Sequence, residues 1–262
     1  MIIELENLAY SLESDISYVS GSTHMRQKLD IYRPLNPKGG CLPVVMYFHG
    51  GGWEFGNKEG GFKRISEVLD TGFIFISVAY RLVEDATWPA PIDDCVAALN
   101  YVKEHVAGID TSNIALWGSS AGAHLACLLA GGCRSEQPVN VKCVVNYCAP
   151  VTVDLFVDSL AGEERKSSPV MKLLGGDHDE TSTMAKEATV TRWVKSGYPQ
   201  TLIVHGDQDE TVPLIQSQIL HDEIASVGSE VELYIAKNSP HRVDSVQVTD
   251  KVREFLTKNL GQ

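Results

Sequence analysis

The segment WGSSAGAHLA (117–126) sets Ser120 between two glycines in the pattern G-x-S-x-G, with an apolar run before it and a helix-forming run after it. A serine on so sharp a strand-to-helix turn exposes its hydroxyl as a nucleophile and points the next amide, that of Ala121, toward the same place. Attack by a hydroxyl requires a base to take its proton and a carboxylate to orient that base. It also requires amide donors held where an oxyanion will form. Five small residues can equally be a plain turn, so the chemistry depends on whether the rest of the chain supplies these partners.

The chain offers a candidate for each. HGGGW (49–53) follows an apolar run, and its glycines allow the amides of Gly51 and Gly52 to converge with that of Ala121 as oxyanion donors. The loop lacks the G-K-[ST] ending of a phosphate loop and the glycine spacing of a dinucleotide fold. His49 reads as a brace for this loop, and Trp53 as either a wall of a substrate pocket or a core residue. Of eight histidines, His241 in AKNSPHRVD (236–244) lies past a late strand, where the base belongs when the chain order is nucleophile, acid, base. His221 falls within a helical run, and His124 and His205 read as packing residues. LIVHGDQDETVP (202–213) supplies Asp207, Asp209 and Glu210 as orienting acids, and spacing alone leaves the choice among them open. An acidic turn before a helix is favoured in any case. As a cation loop it has too few spaced ligands, so neither metal nor cofactor is expected.

These residues need a scaffold, and the apolar pattern describes one. KLDIYRP (28–34), LPVVMYFHG (42–50), FIFISVAYR (73–81), NIALWGSS (113–120), VKCVVNYCAP (141–150), QTLIVHGD (200–207) and EVELYIA (230–236) read as strands. Helical runs over 61–72, 89–108, 121–132, 214–228 and 244–260 alternate with them. The pattern predicts an α/β fold with a mostly parallel sheet and helices on both faces, whose ligand site lies beyond the carboxyl ends of the strands. His49–Gly52, Ser119–Gly122 and Asp207–Glu210 each follow a strand.

With 262 residues and no repeat or linker, the chain is expected to form one domain. Hydrophobic residues make up 44% and charged residues 21%, which are globular proportions without a bilayer-length apolar run. The 22 basic against 34 acidic residues leave a net charge of −12, a field that repels nucleic acid and anionic lipid. The opening MIIELENLAYSLESD has no secretory pattern, and a cytoplasmic location is expected. The six cysteines form no C-x-x-C pair and read as buried thiols.

Taken together, HGGGW, AYRL, WPAPIDDCVAAL, GSSAGAHLA, HGDQDETVP and the late SPH resemble the α/β-hydrolase esterases, on the acetyl-xylan and feruloyl esterase-like side and related to the hormone-sensitive-lipase-like enzymes. The resemblance runs from about residue 28 to the C-terminus, and it places the triad acid at Asp209 and the base at His241. Two departures separate the chain from the lipase-like side: Ser119 stands where an acid usually precedes the serine, and HGDQDETVP replaces a D-P-x motif. The short lead-in before LDIY leaves little room for a helical cap, and 156–199 stands where such folds insert a partial lid. What the resemblance implies is a serine carboxylesterase acting on small acyl esters, with an arylformamidase-like amide hydrolase and a non-catalytic small-molecule-binding module as alternatives. The expected partner is a small-molecule ester, and a homo-oligomer is possible on this fold.

Overall fold

The computed structural model describes residues 2–5, 8–35, 40–65, 68, 71–136, 139–154, 165, 167–176, 178–179 and 182–261. Among them a single nine-stranded sheet forms: β1 (Ile2–Leu5), β2 (Leu8–Ser17), β3 (Lys28–Pro34), β4 (Leu42–Phe48), β5 (Ile74–Val78), β6 (Ile109–Ser119), β7 (Cys143–Tyr147), β8 (Gln200–Gly206) and β9 (Val231–Ala236). Their spatial order is β1-β2-β3-β5-β4-β6-β7-β8-β9. The strands from β5 through β9 run parallel, and β1, β2 and β3 form an antiparallel edge on β5. This is the α/β-hydrolase fold.

The helices are α1 (Phe62–Ile65), α2 (Ala90–His105), α3 (Ala121–Ala130), α4 (Pro169–Leu174), α5 (Thr183–Glu187), α6 (Ile215–Ser226) and α7 (Val246–Leu260). Alternation along the strands decides which helix each residue meets. Val44, Met46 and Phe48 of β4 point to the face covered by α2, α3 and α6, whereas Val45 and Tyr47 point to the face covered by α7. Both sides are apolar, so β4 is buried along its whole length, as a central parallel strand must be. On α7, Val248, Val252, Leu256 and Leu260 recur every fourth residue and make a single buried stripe. Its first turn is capped by the Ser245 hydroxyl, which accepts the Val248 amide at 3.3 Å.

Two regions differ from the sequence-based expectation. The N-terminal segment forms the β1–β2 hairpin, an addition to the sheet that the sequence pattern did not reveal. Part of the expected lid over 156–199, residues 156–164, 166, 177 and 180–181, lies outside the described residues. Its described remainder packs on the body: the Leu173 carbonyl accepts the Trp88 amide at 2.7 Å, and Lys172 pairs with Glu54. Among the described residues no helix is long and apolar enough to cross a membrane.

Candidate active site

Ser120 occupies the turn between β6 and α3 with φ 53° and ψ −120°, a conformation that costs a non-glycine residue on the order of 1–3 kcal/mol. Neighbouring strands hold it there. Its amide donates to the Tyr147 carbonyl at 2.7 Å, and its own carbonyl accepts the His124 amide at 3.0 Å. The flanking glycines answer a packing demand. A Cβ on Gly118 would lie 2.3 Å from the Gly122 carbonyl oxygen, and one on Gly122 would lie 2.1 Å from that of Phe48. The sharp turn therefore fits only if both positions lack a side chain.

His241, on the loop between β9 and α7, places Nε2 3.0 Å from Ser120 Oγ and Nδ1 2.6 Å from Asp209 Oδ2. Asp209 follows β8, and its Oδ1 accepts the amides of Thr211 and Val212 at 2.8 and 2.9 Å. Burial works against the Asp209 charge, yet hydrogen bonds from His205, His241 and the two amides outweigh it and hold the carboxyl well below the usual carboxylate range. The other two acids of the segment stand elsewhere: Asp207 lies 3.5 Å from Lys237, and Glu210 is exposed.

The HGGGW loop turns over the elbow with Gly51 at φ 127° and Gly52 at φ 60°. Among the described residues, the amides of Gly51, Gly52 and Ala121 make no backbone hydrogen bond. The loop is braced by His49, whose ring stacks on Tyr80 at 4.3 Å and whose Nδ1 lies 2.8 Å from the Gly50 carbonyl. Tyr80 donates its hydroxyl to the His49 carbonyl at 2.7 Å. Complete burial lowers the His49 pKa to about 4, which keeps the brace neutral.

Trp53 does not line the cleft. Its φ of 59° rolls the indole inward, where it is 2% exposed and meets the His124 ring edge-on at 5.1 Å. Phe55, two residues on and 70% exposed, is the aromatic of this loop that borders the cleft, and only its place in the turn could have revealed it. The cleft holds about 620 Å³ and is bounded by Gly52, Phe55, Arg64, Tyr147, Pro169 and His241 around Ser120. Arg64 lies over the Tyr147 ring at 4.9 Å and pairs with Asp244 at 3.0 Å, joining α1 to the His241 loop.

A second cluster lies behind the acid. Ligand-type atoms of Cys148, His205 and Asp209 fall within 4.8 Å of one another. Hydrogen bonds already engage them: His205 reaches Ser217 and Val212, and Cys148 reaches the carbonyls of Val204 and His241. Burial pushes the Cys148 thiol up to about 12, so it is protonated among these partners.

Fold and site together define an α/β-hydrolase with a serine, histidine and aspartate in hydrogen-bonded series at the carboxyl edge of the sheet. The chain belongs to the BD-FAE family, which matches residues 29–224. It is 28% identical over 260 residues to Esterase LipQ of Mycobacterium tuberculosis, an alignment covering 93% of this chain and 61% of LipQ. The chain thus spans less than two thirds of that relative's length. A truncated carbohydrate esterase from gut microbiota superposes with a TM-score of 0.85 at 26% identity, covering 96% of this chain and 97% of the other. A bifunctional GH43-CE protein of Bacteroides eggerthii superposes at 0.84 with 25% identity, over 94% of this chain and 38% of its own.

Proposed function

We propose that the protein is a serine carboxylesterase that hydrolyses short-chain, acetyl-type esters through an acyl-enzyme. The observation that carries this reading is the unbroken series from Ser120 Oγ through His241 to Asp209, at 3.0 and 2.6 Å, opening into a cleft.

In this mechanism Ser120 Oγ attacks the ester carbonyl carbon while His241 Nε2 takes the hydroxyl proton. The carbonyl π pair moves onto oxygen, and the amides of Gly51, Gly52 and Ala121 stabilise that oxyanion, each donor lowering the barrier by on the order of 3 kcal/mol. Collapse re-forms the carbonyl and breaks the bond to the alcohol oxygen, which receives the proton from His241. Water then attacks the acyl-serine, gives its proton to His241, and releases the carboxylic acid as the proton returns to Ser120. Asp209 keeps Nδ1 protonated and facing it, and steadies the imidazolium formed in each half-reaction.

A cleft of about 620 Å³ lies in the range of small-molecule sites and accommodates a small acyl group with an alcohol of sugar size. The similarity to a carbohydrate esterase supports the same substrate class.

The test is release of p-nitrophenol from acetate, butyrate and octanoate esters by the wild type and by Ser120→Ala. Turnover that favours acetate and is lost in the variant is the expected result. Faster cleavage of an aryl formamide than of any acetate would move the protein to the amide hydrolases. Binding of small esters without turnover would make it a binding module.

A further inference from the structure

Asp209 meets more than the base. The wholly buried ring of His205, at the end of β8, places Nε2 3.1 Å from the same Oδ2 that His241 approaches. That nitrogen is also 2.9 Å from the Val212 carbonyl, so it faces two acceptors and carries a proton. The opposite nitrogen, Nδ1, lies 2.6 Å from Oγ of Ser217 on α6. The series therefore continues beyond the acid: Ser120, His241, Asp209, His205, Ser217.

We propose that His205 is a positioning residue for the acid, its Nε2–H fixing Asp209 Oδ2 in the orientation that meets His241. The inference rests on the esterase reading of Ser120, His241 and Asp209. A carboxylate held by two backbone amides alone can still rock about its Cβ–Cγ bond. With the His241 and His205 ring nitrogens at 2.6 and 3.1 Å from one oxygen, rotation of the carboxylate lengthens a contact to a polarised N–H. His205 itself cannot drift, because Ser217 and Val212 hold its two nitrogens and no part of its side chain reaches solvent. A further titratable neighbour is Cys148, which follows β7; its thiol stays protonated, lies against Asp209 as well, and contacts the His241 backbone carbonyl at 3.4 Å. His205 thus adds its Nε2–H, shared between the Val212 carbonyl at 2.9 Å and Asp209 Oδ2 at 3.1 Å, to the bonds that His241 and the amides of Thr211 and Val212 make to the acid.

The electrostatic consequence has a definite sign. Each donor on Asp209 draws off part of its negative charge. Removing the His205 donor returns that charge to Oδ2, where it stabilises the His241 imidazolium and moves the acid limb of the pH–rate profile to higher pH.

The experiment compares His205→Leu, His205→Gln and Ser217→Ala in the full chain, using p-nitrophenyl acetate across the pH range. His205→Leu is expected to lower kcat on the order of 10- to 100-fold with KM within about twofold, as for a catalytic group displaced by a fraction of an ångström. Its acid limb should move up, and His205→Gln, which keeps an N–H donor, should recover part of both effects. Ser217→Ala should shift both in the same direction by less, and it keeps the test alive should His205→Leu not fold. A readout independent of turnover comes from the low-field proton resonance of the His241–Asp209 bond in a Ser120→Ala background, expected to move when His205→Leu or Ser217→Ala is added. Failure of the wild type to cleave any ester would sink the esterase reading and leave this resonance test standing. The proposal is overturned if kcat, acid limb and resonance all stay at wild-type values, or if kcat falls only in step with thermal stability while limb and resonance hold.

Discussion

Nδ1 of His241 lies 2.6 Å from Oδ2 of Asp209, a residue 32 positions earlier in the chain whose side chain is closed to solvent. Replacing the acid by Asn removes the charge and favours the wrong imidazole tautomer. Asp209→Asn is expected to lower kcat on p-nitrophenyl acetate by roughly 10⁴-fold, the effect of this change in a serine triad. Asp207→Asn and Glu210→Gln, which do not touch His241, should stay within a few-fold of wild type. An equal loss at Asp207 would place the acid there.

Two buried histidines set a pH dependence of stability. His49 and His124 are both lowered to about 4, chiefly by burial, from an ordinary value of 6.5. Between these values the unfolded chain binds protons that the folded chain refuses, so stability declines as pH falls from 6.5 to 4 and this contribution levels off below. Each group contributes on the order of 3 kcal/mol to the decline. Urea unfolding at half-unit pH steps should show it, and His124→Gln should flatten the slope by about half.

The elbow glycines predict a steric failure. Gly122→Ala would drive a methyl group to 2.1 Å from the Phe48 carbonyl oxygen and 2.3 Å from that of His49, both of them rigid backbone. Loss of soluble, active protein is expected, with the melting temperature of any folded fraction reduced by several degrees. Gly40→Ala, with no atom within 4 Å of the new methyl, should match wild type. Parallel behaviour of the two variants would contradict the packing described at the elbow.

Trp53 and Phe55 should divide stability from substrate binding. Trp53→Phe loosens a buried ring against His124 and is expected to lower the melting temperature by a few degrees with KM unchanged. Phe55→Ala removes an exposed ring at the cleft and should raise KM for aryl esters several-fold with little change in melting. Thermal shift and steady-state kinetics on both variants test the division.

The parts of the site visible in the sequence were those in which a local motif meets its structural context. GSSAG lies between β6 and α3, and HGGGW follows β4, because strand and turn chemistry are written in neighbouring residues. The choice of Asp209 over Asp207 and Glu210 came only from resemblance, since three acids on one turn differ by where each side chain ends. Whether Trp53 lines the pocket or joins the core stayed open for the same reason: the residue sits in a left-handed turn, and where its ring ends is not written in its neighbours. The β1–β2 hairpin went unread because exposed residues such as Glu13 and Asp15 break its apolar pattern. His205 reads in the sequence as a packing residue and is wholly buried; that Asp209 lies beside its Nε2 depends on a turn that folds back on β8, which spacing does not show.

Ser120 and His241 are separated by 121 positions in the chain and meet only across the joined edges of β6, β7, β8 and β9. Such a contact closes late when a denatured chain is returned to native conditions, because long loops must be ordered before it forms. Recovery of ester cleavage should then trail the recovery of helix signal, and hydrolysis becomes a clock for completion of the whole sheet.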